Sequence, residues 1–209
     1  MIWKRISISF IFTRVIRKRN KMKLYVVRHG ESVNNLKKIY TGWQQAALTD
    51  KGRKDAEWAK EVLSTVKIDK AFSSDLIRAM ETGSIALPNM TAELTDLLRE
   101  VDVGNLAGQP LTTVTDEMRE RIATEGYTFL DGESREDFRA RVRGFMTSLE
   151  SLPYENIAAF SHRGWIIAII EEVLGVHGIS RRIKCDNCAV AVFEFNGKTW
   201  RLCGLMNAG

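Results

Sequence analysis

The sequence predicts an α/β fold, a three-layer α/β/α sandwich with a mostly parallel central sheet and a C-terminal edge hairpin. Short apolar runs at 24–27, 70–73 and 156–161 alternate with stretches of helical periodicity. This alternation is typical of parallel strands that are joined by helices. Near the C terminus, two further strand-like runs flank Asn196 and Gly197, a dipeptide that favours a hairpin turn of type I′.

The predicted elements can be placed in order from their capping and stop signals. Thr49 is suited to cap a helix that runs to about Val66, and Ser74 or Asp75 is suited to cap the helix that carries Arg78. The remaining elements are a short strand near 92–94, helices near 111–125 and 135–151, an apolar helix from Trp165 to Leu174 that Gly175 ends, and hairpin strands at 189–195 and 199–205. Ligands of such sheets bind beyond the carboxyl ends of the strands.

Charge divides the chain into a basic tail and a nearly neutral body. Seven of the 31 Lys and Arg residues lie within 1–21, which contains no acid, and this leaves 24 basic against 26 acidic residues in the body. The basic excess therefore does not indicate nucleic-acid binding. We predict that 1–21 is a disordered extension or a mis-assigned start, because Met22 directly precedes the first strand, and that 22–209 is a single domain. The alternative for the tail is a segment on anionic lipid, since its apolar part is too short to span a membrane.

The cysteines predict a protein of a reducing compartment. Three cysteines in 209 residues do not make a disulfide framework, so the cytoplasm is the expected location. Cys185 and Cys188 have the spacing of half a zinc site, but no second pair of ligands accompanies them, and we expect structural cysteines. The oligomeric state is left open.

Two of the three histidines follow predicted strands, where a ligand site is expected. Arg28 and His29 come after the first strand, His162 after a later one, and Arg78 just past a third. A guanidinium binds two phosphate oxygens at once, and a neutral imidazole is a competent phosphoryl acceptor. Phosphoryl transfer also needs an acid for the departing alkoxide, and Glu100 is well placed after a strand-like segment.

Several other charged residues have plainer interpretations that stay open. Glu31, Glu81 and Asp102 are alternatives to Glu100 by their proximity in sequence. The charged run 135–143 is expected to be a solvated helix face, and His177 a surface loop residue.

Together these motifs resemble the histidine phosphatase superfamily, the group that includes cofactor-dependent phosphoglycerate mutase. The resemblance covers Lys23 to about Asn207. The motifs that carry it are 28–32 with Asn35, Thr41 and Gly42; 73–82 with Arg78; 98–100 with Gly104 and Gly108; and Ser161 and His162 with Gly164.

The resemblance implies a role for each candidate residue. His29 would be the phosphorylated nucleophile, and Glu100 the general acid and later the base that activates water. The phosphoryl group would be bound by Arg28, Arg78 and His162, and the substrate pocket would be lined by Asn35, Thr41 and Gly42. Neither a metal nor another cofactor is implied.

Within the superfamily, the segment after Glu100 is more similar to the small phosphatase branch than to the mutases, which usually carry a longer insertion there. We therefore expect a metal-independent phosphomonoesterase that acts on a small phosphorylated metabolite through a phosphohistidine. The alternatives are a cofactor-dependent phosphoglycerate mutase and a catalytically silent phosphate-binding module.

Two positions depart from the family pattern. Arg163 stands where glycine is frequent, and it would interfere if the backbone there needed a positive φ; otherwise it would extend into the substrate mouth as a third cation. Residues 44–48 lack the acid and the proline that relatives often place before the leucine, and this loop concerns substrate preference more than catalysis.

Overall fold

The computed structural model describes residues 21–208, so the prediction for the basic tail lies outside the described residues apart from Lys21. Its strands are β1 (Met22–Arg28), β2 (Lys70–Ser73), β3 (Glu93–Leu94), β4 (Asn156–Ser161), β5 (Val190–Phe195) and β6 (Trp200–Met206). Its helices are α1 (Val33–Leu36), α2 (Asp50–Ser64), α3 (Ile77–Ala86), α4 (Asp116–Glu125), α5 (Arg135–Leu149) and α6 (Arg163–Leu174).

All six strands form one mixed sheet in the order β3-β2-β4-β1-β5-β6. The first four strands of that order are parallel, β5 runs antiparallel to β1, and β6 runs antiparallel to β5. The predicted parallel sheet with a C-terminal edge hairpin is therefore confirmed.

Helices cover both faces of the sheet, as the nearly continuous apolar character of its central strands requires. On one face, Leu24 and Val26 of β1 pack with Phe145 of α5 and Trp165 of α6. On the other face, Val27 of β1 packs in a cluster with residues of α2 and α3. The three-layer α/β/α arrangement is thus as predicted, and both layers bury strand side chains almost completely.

Three local predictions were wrong. The N-cap residue of α3 is Leu76 and not Ser74 or Asp75, and there is no side-chain cap because a leucine side chain has no acceptor atom. The segment predicted as one helix over 111–125 is a 3₁₀ turn, Leu111–Thr113, followed by α4, which Thr115 caps. The hairpin turn is not of type I′, since Asn196 does not have the positive φ that this turn demands.

Instead, the Asn196 side chain closes the hairpin turn. Its Oδ1 accepts hydrogen bonds from the N–H groups of Lys198 and Thr199, at 2.9 and 3.0 Å. An Asx-type closure of this kind replaces the backbone turn that the dipeptide favoured.

None of the helices within residues 21–208 has the length and apolar character needed to cross a membrane.

Candidate active site

The parallel pairing of β1 with β4 brings the two predicted histidines together. Arg28 and Ser161 are register partners at the strand ends, and the His29 N–H donates to the Ser161 carbonyl at 2.9 Å. The next residue along β4 is His162, and the centroids of the two imidazole rings lie 5.1 Å apart. Both rings are buried, with 4% and 0% exposure. The topology therefore assembles the site that the strand ends predicted.

His29 is held as a neutral imidazole with one free ring nitrogen. Burial, followed by the charges of Arg78 and Arg28, lowers its pKa well below the ordinary value. Its Nδ1 lies 2.7 Å from the Gly30 carbonyl, so the proton is on Nδ1 and the lone pair is on Nε2. This is the tautomer that a histidine nucleophile requires.

His162 is oriented by Ser74, a contact that the sequence did not predict. The His162 Nε2 lies 3.0 Å from the Ser74 Oγ, and the Leu76 N–H donates to the same oxygen at 3.3 Å. When the Ser74 hydroxyl donates to Nε2, the proton of His162 is on Nδ1. Burial and the charge of Arg78 also lower the pKa of His162 well below its ordinary value.

Two buried nitrogens at the site have no hydrogen-bond partner. They are the His162 Nδ1 and the Arg28 Nε, and no other buried side-chain nitrogen or oxygen within residues 21–208 is without one. The Arg28 Nη1 is anchored on the Cys185 carbonyl at 2.6 Å, while burial lowers the Arg28 pKa. Unsatisfied buried donors are costly unless a ligand accepts from them.

Arg78 adds a second buried guanidinium and shapes the neighbouring loop. It is 1% exposed, and its Nη1 and Nη2 donate to the carbonyls of Gln44 and Gly42, at 3.0 and 2.8 Å. Burial lowers the Arg78 pKa to about 10, an effect that the Glu100 charge opposes, so it remains a cation at neutral pH. Its charge helps to lower the pKa of both His29 and His162, so Arg78 belongs to the same site.

Glu100 lies against the start of α6. Its Oε1 accepts from the Val101 N–H and its Oε2 from the Gly164 N–H, each at 3.0 Å. A Cβ at position 164 would lie 2.2 Å from Oε1, so only glycine permits this approach. The carboxylate is an electrostatic neighbour of both Arg28 and Arg78.

The other candidate acids are engaged in holding loops. The Glu31 Oε1 accepts from the Thr49 hydroxyl at 2.8 Å, and the Glu81 Oε2 accepts from the Leu48 N–H at 2.7 Å. The Asp102 Oδ1 accepts from the Gly104 N–H at 3.0 Å. Of these four carboxylates, only Glu100 acts electrostatically on both Arg28 and Arg78, and this favours Glu100 as the site acid.

A clamp of Arg141 and Glu133 fixes the Glu100 segment. Arg141 donates to the carbonyl oxygens of Arg99 and Glu100, at 2.7 and 3.0 Å, and makes a two-point contact with the Glu133 carboxylate at 3.0 and 2.8 Å. The Arg141 side chain is only 12% exposed, so the expectation of a solvated face over 135–143 was wrong at this residue. Its acceptors are mainly backbone carbonyls, which give no residue-type signal in a sequence.

The predicted pocket residues are less closely tied to the histidines. The Asn35 Oδ1 accepts from the Ser32 N–H at 3.1 Å, and the Thr41 hydroxyl contacts the Ile39 carbonyl at 3.4 Å. Gly42 has a φ of +48° and presents its carbonyl to Arg78. Contact of these three residues with substrate stays a prediction.

Arg163 is accommodated because it is the first residue of α6 and does not have a positive φ. Its guanidinium donates to the hydroxyl and the carbonyl oxygen of Ser180, at 3.0 and 2.7 Å. The arginine therefore does not disturb the turn, and it joins the start of α6 to the 3₁₀ turn Ser180–Arg182.

Cys185 and Cys188 are both buried free thiols, and burial raises the pKa of each. Over the part of the chain that the structure describes, no three His, Cys, Asp or Glu side chains are grouped in a way that could hold a metal ion.

Comparisons with known proteins bear directly on this site. The family model described as the histidine phosphatase superfamily (branch 1) matches residues 24–208. A relative from Enterobacter sp. (strain 638), named Probable phosphoglycerate mutase GpmB, is 27% identical over an alignment of 192 residues, and this alignment covers 88% of this chain and 89% of that protein.

Among solved structures, a mycobacterial glucosyl-3-phosphoglycerate phosphatase superposes with a TM-score of 0.78 at 25% identity, over 87% of this chain and 96% of that one. A phosphoglycerate mutase from Bacillus anthracis has a TM-score of 0.76 at 21% identity, over 89% and 93% of the two chains, which shows a shared fold. The family match spans both histidine strands, the intervening acid and the two site arginines, and the chain therefore belongs to branch 1 of the histidine phosphatase superfamily.

Proposed function

We propose that this protein is a metal-independent phosphomonoesterase that works through a phosphohistidine. The observation that carries the proposal is the pair of unpartnered buried nitrogens, the Arg28 Nε and the His162 Nδ1, beside the free Nε2 of His29. A phosphoryl group supplies oxygen acceptors for both nitrogens while its phosphorus faces the nucleophile.

In the first step, the His29 Nε2 attacks phosphorus as the bond from phosphorus to the ester oxygen breaks. Glu100, in its acid form, gives its proton to the departing oxygen, and Arg28, Arg78 and His162 hold the other phosphoryl oxygens. In the second step, Glu100 takes a proton from water, whose oxygen attacks the phosphohistidine. Inorganic phosphate leaves, and His29 and the acid form of Glu100 are restored.

The names of relatives support two outcomes for the phosphohistidine. The structural neighbour at 25% identity is a phosphatase, whereas the sequence relative at 27% identity is named a probable mutase. We favour hydrolysis because the segment that follows Glu100 is short and resembles the phosphatase branch. A mutase would instead return the phosphoryl group to a bound intermediate.

The test is hydrolysis of phenyl phosphate in EDTA by the wild type, His29→Ala and, as a matched control, His177→Ala, whose histidine is exposed. We expect turnover that falls by about 10⁴-fold or more in His29→Ala and is unchanged in His177→Ala. Rapid quenching should trap an acid-labile phosphoryl group on the wild type.

No turnover and no label would contradict the proposal and leave a phosphate-binding module. A label together with isomerisation of phosphoglycerate that depends on added bisphosphoglycerate would identify a mutase.

A further inference from the structure

A cavity of about 660 Å³ lies between α4, α5 and the first half of α6. Val101 and Gly164, whose N–H groups hold the two Glu100 carboxylate oxygens, both line it. If the proposed function is correct, the departing oxygen lies opposite His29 and next to Glu100, because nucleophile and leaving group are in line. The leaving group then extends into this space, which we call the leaving-group cavity.

The walls of the leaving-group cavity are largely apolar. They comprise side chains of the segment after Glu100, of α4, of α5 and of α6, namely Val101, Val114, Ile122, Phe138, Ile167 and Ala168. The volume is that of a site for a small molecule, and walls of this kind favour a hydrocarbon or aromatic body.

The rim of the cavity carries more cations than anions. Three of its four arginines are already paired: Arg119 with Asp116, Arg135 with Glu171 at 3.7 Å, and Arg139 with Glu172 at 2.5 Å. The fourth, Arg181, is exposed and has no carboxylate within 4 Å among residues 21–208.

Neither acid on the rim lies within 4 Å of Arg181. Glu171 pairs with Arg135 and accepts the Ile179 N–H at 3.0 Å, and Glu120 is exposed, as Arg181 is.

Arg181 is attached to an anchored backbone. The preceding residue, Ser180, receives two hydrogen bonds from the Arg163 guanidinium, and the Arg182 N–H closes the turn on the Ile179 carbonyl at 2.8 Å. Arg163 is the first residue of α6 and directly follows His162. Its contacts with Ser180 therefore connect the turn that carries Arg181 to the start of α6, beside the phosphate site. This anchoring lowers the entropic cost of placing Arg181 against a ligand.

From these features we infer the class of substrate: a phosphomonoester whose leaving group has an apolar body and ends in a second oxyanion, such as a carboxylate. Arg181 is the specificity-determining residue that binds this oxyanion, and Arg163 is a positioning residue that acts through Ser180. The apolar walls take the body, and the paired arginines leave Arg181 as the available donor.

The experiment compares 4-carboxyphenyl phosphate with 4-(trimethylammonio)phenyl phosphate, two esters of similar size and opposite charge. We expect the ratio of their kcat/KM values, carboxylate over ammonium, to fall about tenfold in Arg181→Met. Arg182→Met is the matched control, because this neighbouring exposed arginine does not line the cavity, and its ratio should stay at the wild-type value. Differences in intrinsic reactivity cancel, since each ratio is compared between enzymes.

An unchanged ratio in Arg181→Met, or an equal fall in Arg182→Met, would overturn the inference and leave the phosphatase assignment intact. If the wild type hydrolyses phenyl phosphate but neither charged ester, the inference is overturned and the proposed function stands. If it hydrolyses none of the three, the proposed function fails, and the cavity is tested by binding alone. Calorimetric titration should then show that 4-carboxyphenylphosphonate binds the wild type more tightly than phenylphosphonate does, and that Arg181→Met removes the difference. Equal binding of the two phosphonates by the wild type would overturn the inference independently.

Discussion

The phosphate pocket and the leaving-group cavity are linked by Val101 and Gly164, which hold the Glu100 carboxylate and line the cavity, but the two regions are built in opposite ways. His29, His162 and Arg78 are at most 4% exposed, and backbone or serine groups fix their orientations. The cavity is instead lined by segments outside the sheet, with exposed arginines at its rim. A reacting group common to all substrates is met by a rigid set of strand-end residues, whereas a variable leaving group is met by connecting segments that tolerate change.

Glu100 is where this comparison can be tested most strongly. Glu100→Gln retains the shape but cannot give a proton to the departing oxygen, so kcat/KM for an alkyl phosphate should fall by about 10²–10⁴-fold. The loss should be much smaller for 4-nitrophenyl phosphate, whose leaving group needs less protonation. Glu81→Gln, at an acid that only holds a loop, is the control. Equal losses on both substrates would contradict the general-acid role.

Substitution of Arg141 tests whether catalysis depends on a rigidly held Glu100 segment. Arg141→Met removes the contacts to the Arg99 and Glu100 carbonyls and leaves Glu133 without its cation. We expect kcat to fall about tenfold with little change in KM, because the acid is misplaced, and the free energy of unfolding to fall by about 3 kcal/mol.

Arg141→Lys should recover part of kcat. Arg143→Met, which removes a more exposed arginine of the same helix, should leave kcat unchanged. Loss of stability without loss of kcat would show that the clamp is only structural.

The buried histidines predict an acid sensitivity that belongs to the phosphate pocket alone. The pKa values of His29 and His162 are both lowered in the folded protein, so below about pH 6.5 the unfolded chain binds more protons than the folded one. The free energy of unfolding should therefore fall as the pH drops below that value, by up to about 1.4 kcal/mol per pH unit for each histidine, until the folded-state pKa is reached.

Denaturant unfolding at pH 7.5 and 5.5 measures this effect. His162→Gln should flatten the dependence, whereas His177→Gln, at an exposed position, should not. The same slope in all three proteins would mean that other groups cause it.

Much of the candidate site was predictable because the ends of strands can be recognised in a sequence. The apolar runs before His29 and before His162 identify two strands of a parallel sheet, and strand polarity then places both residues at one edge. That these two strands are direct neighbours is shown by the structure. The partners that orient these residues were not predictable. Ser74 was expected to cap a helix and instead contacts His162, and Arg141 was expected to be solvated. In both cases the decisive partner is more than 40 residues away in sequence.

By itself, the sequence determined the α/β class, the order of the strands along the chain and the candidate side chains of the site, because these depend on local periodicity and on residue chemistry. Tertiary structure alone decided which nitrogen of each histidine is free, which carboxylate faces the arginines and which arginine of the cavity rim remains unpaired. Those outcomes depend on hydrogen bonds and ion pairs between distant segments, and such contacts form only when the packed sheet and helices fix the distances between them.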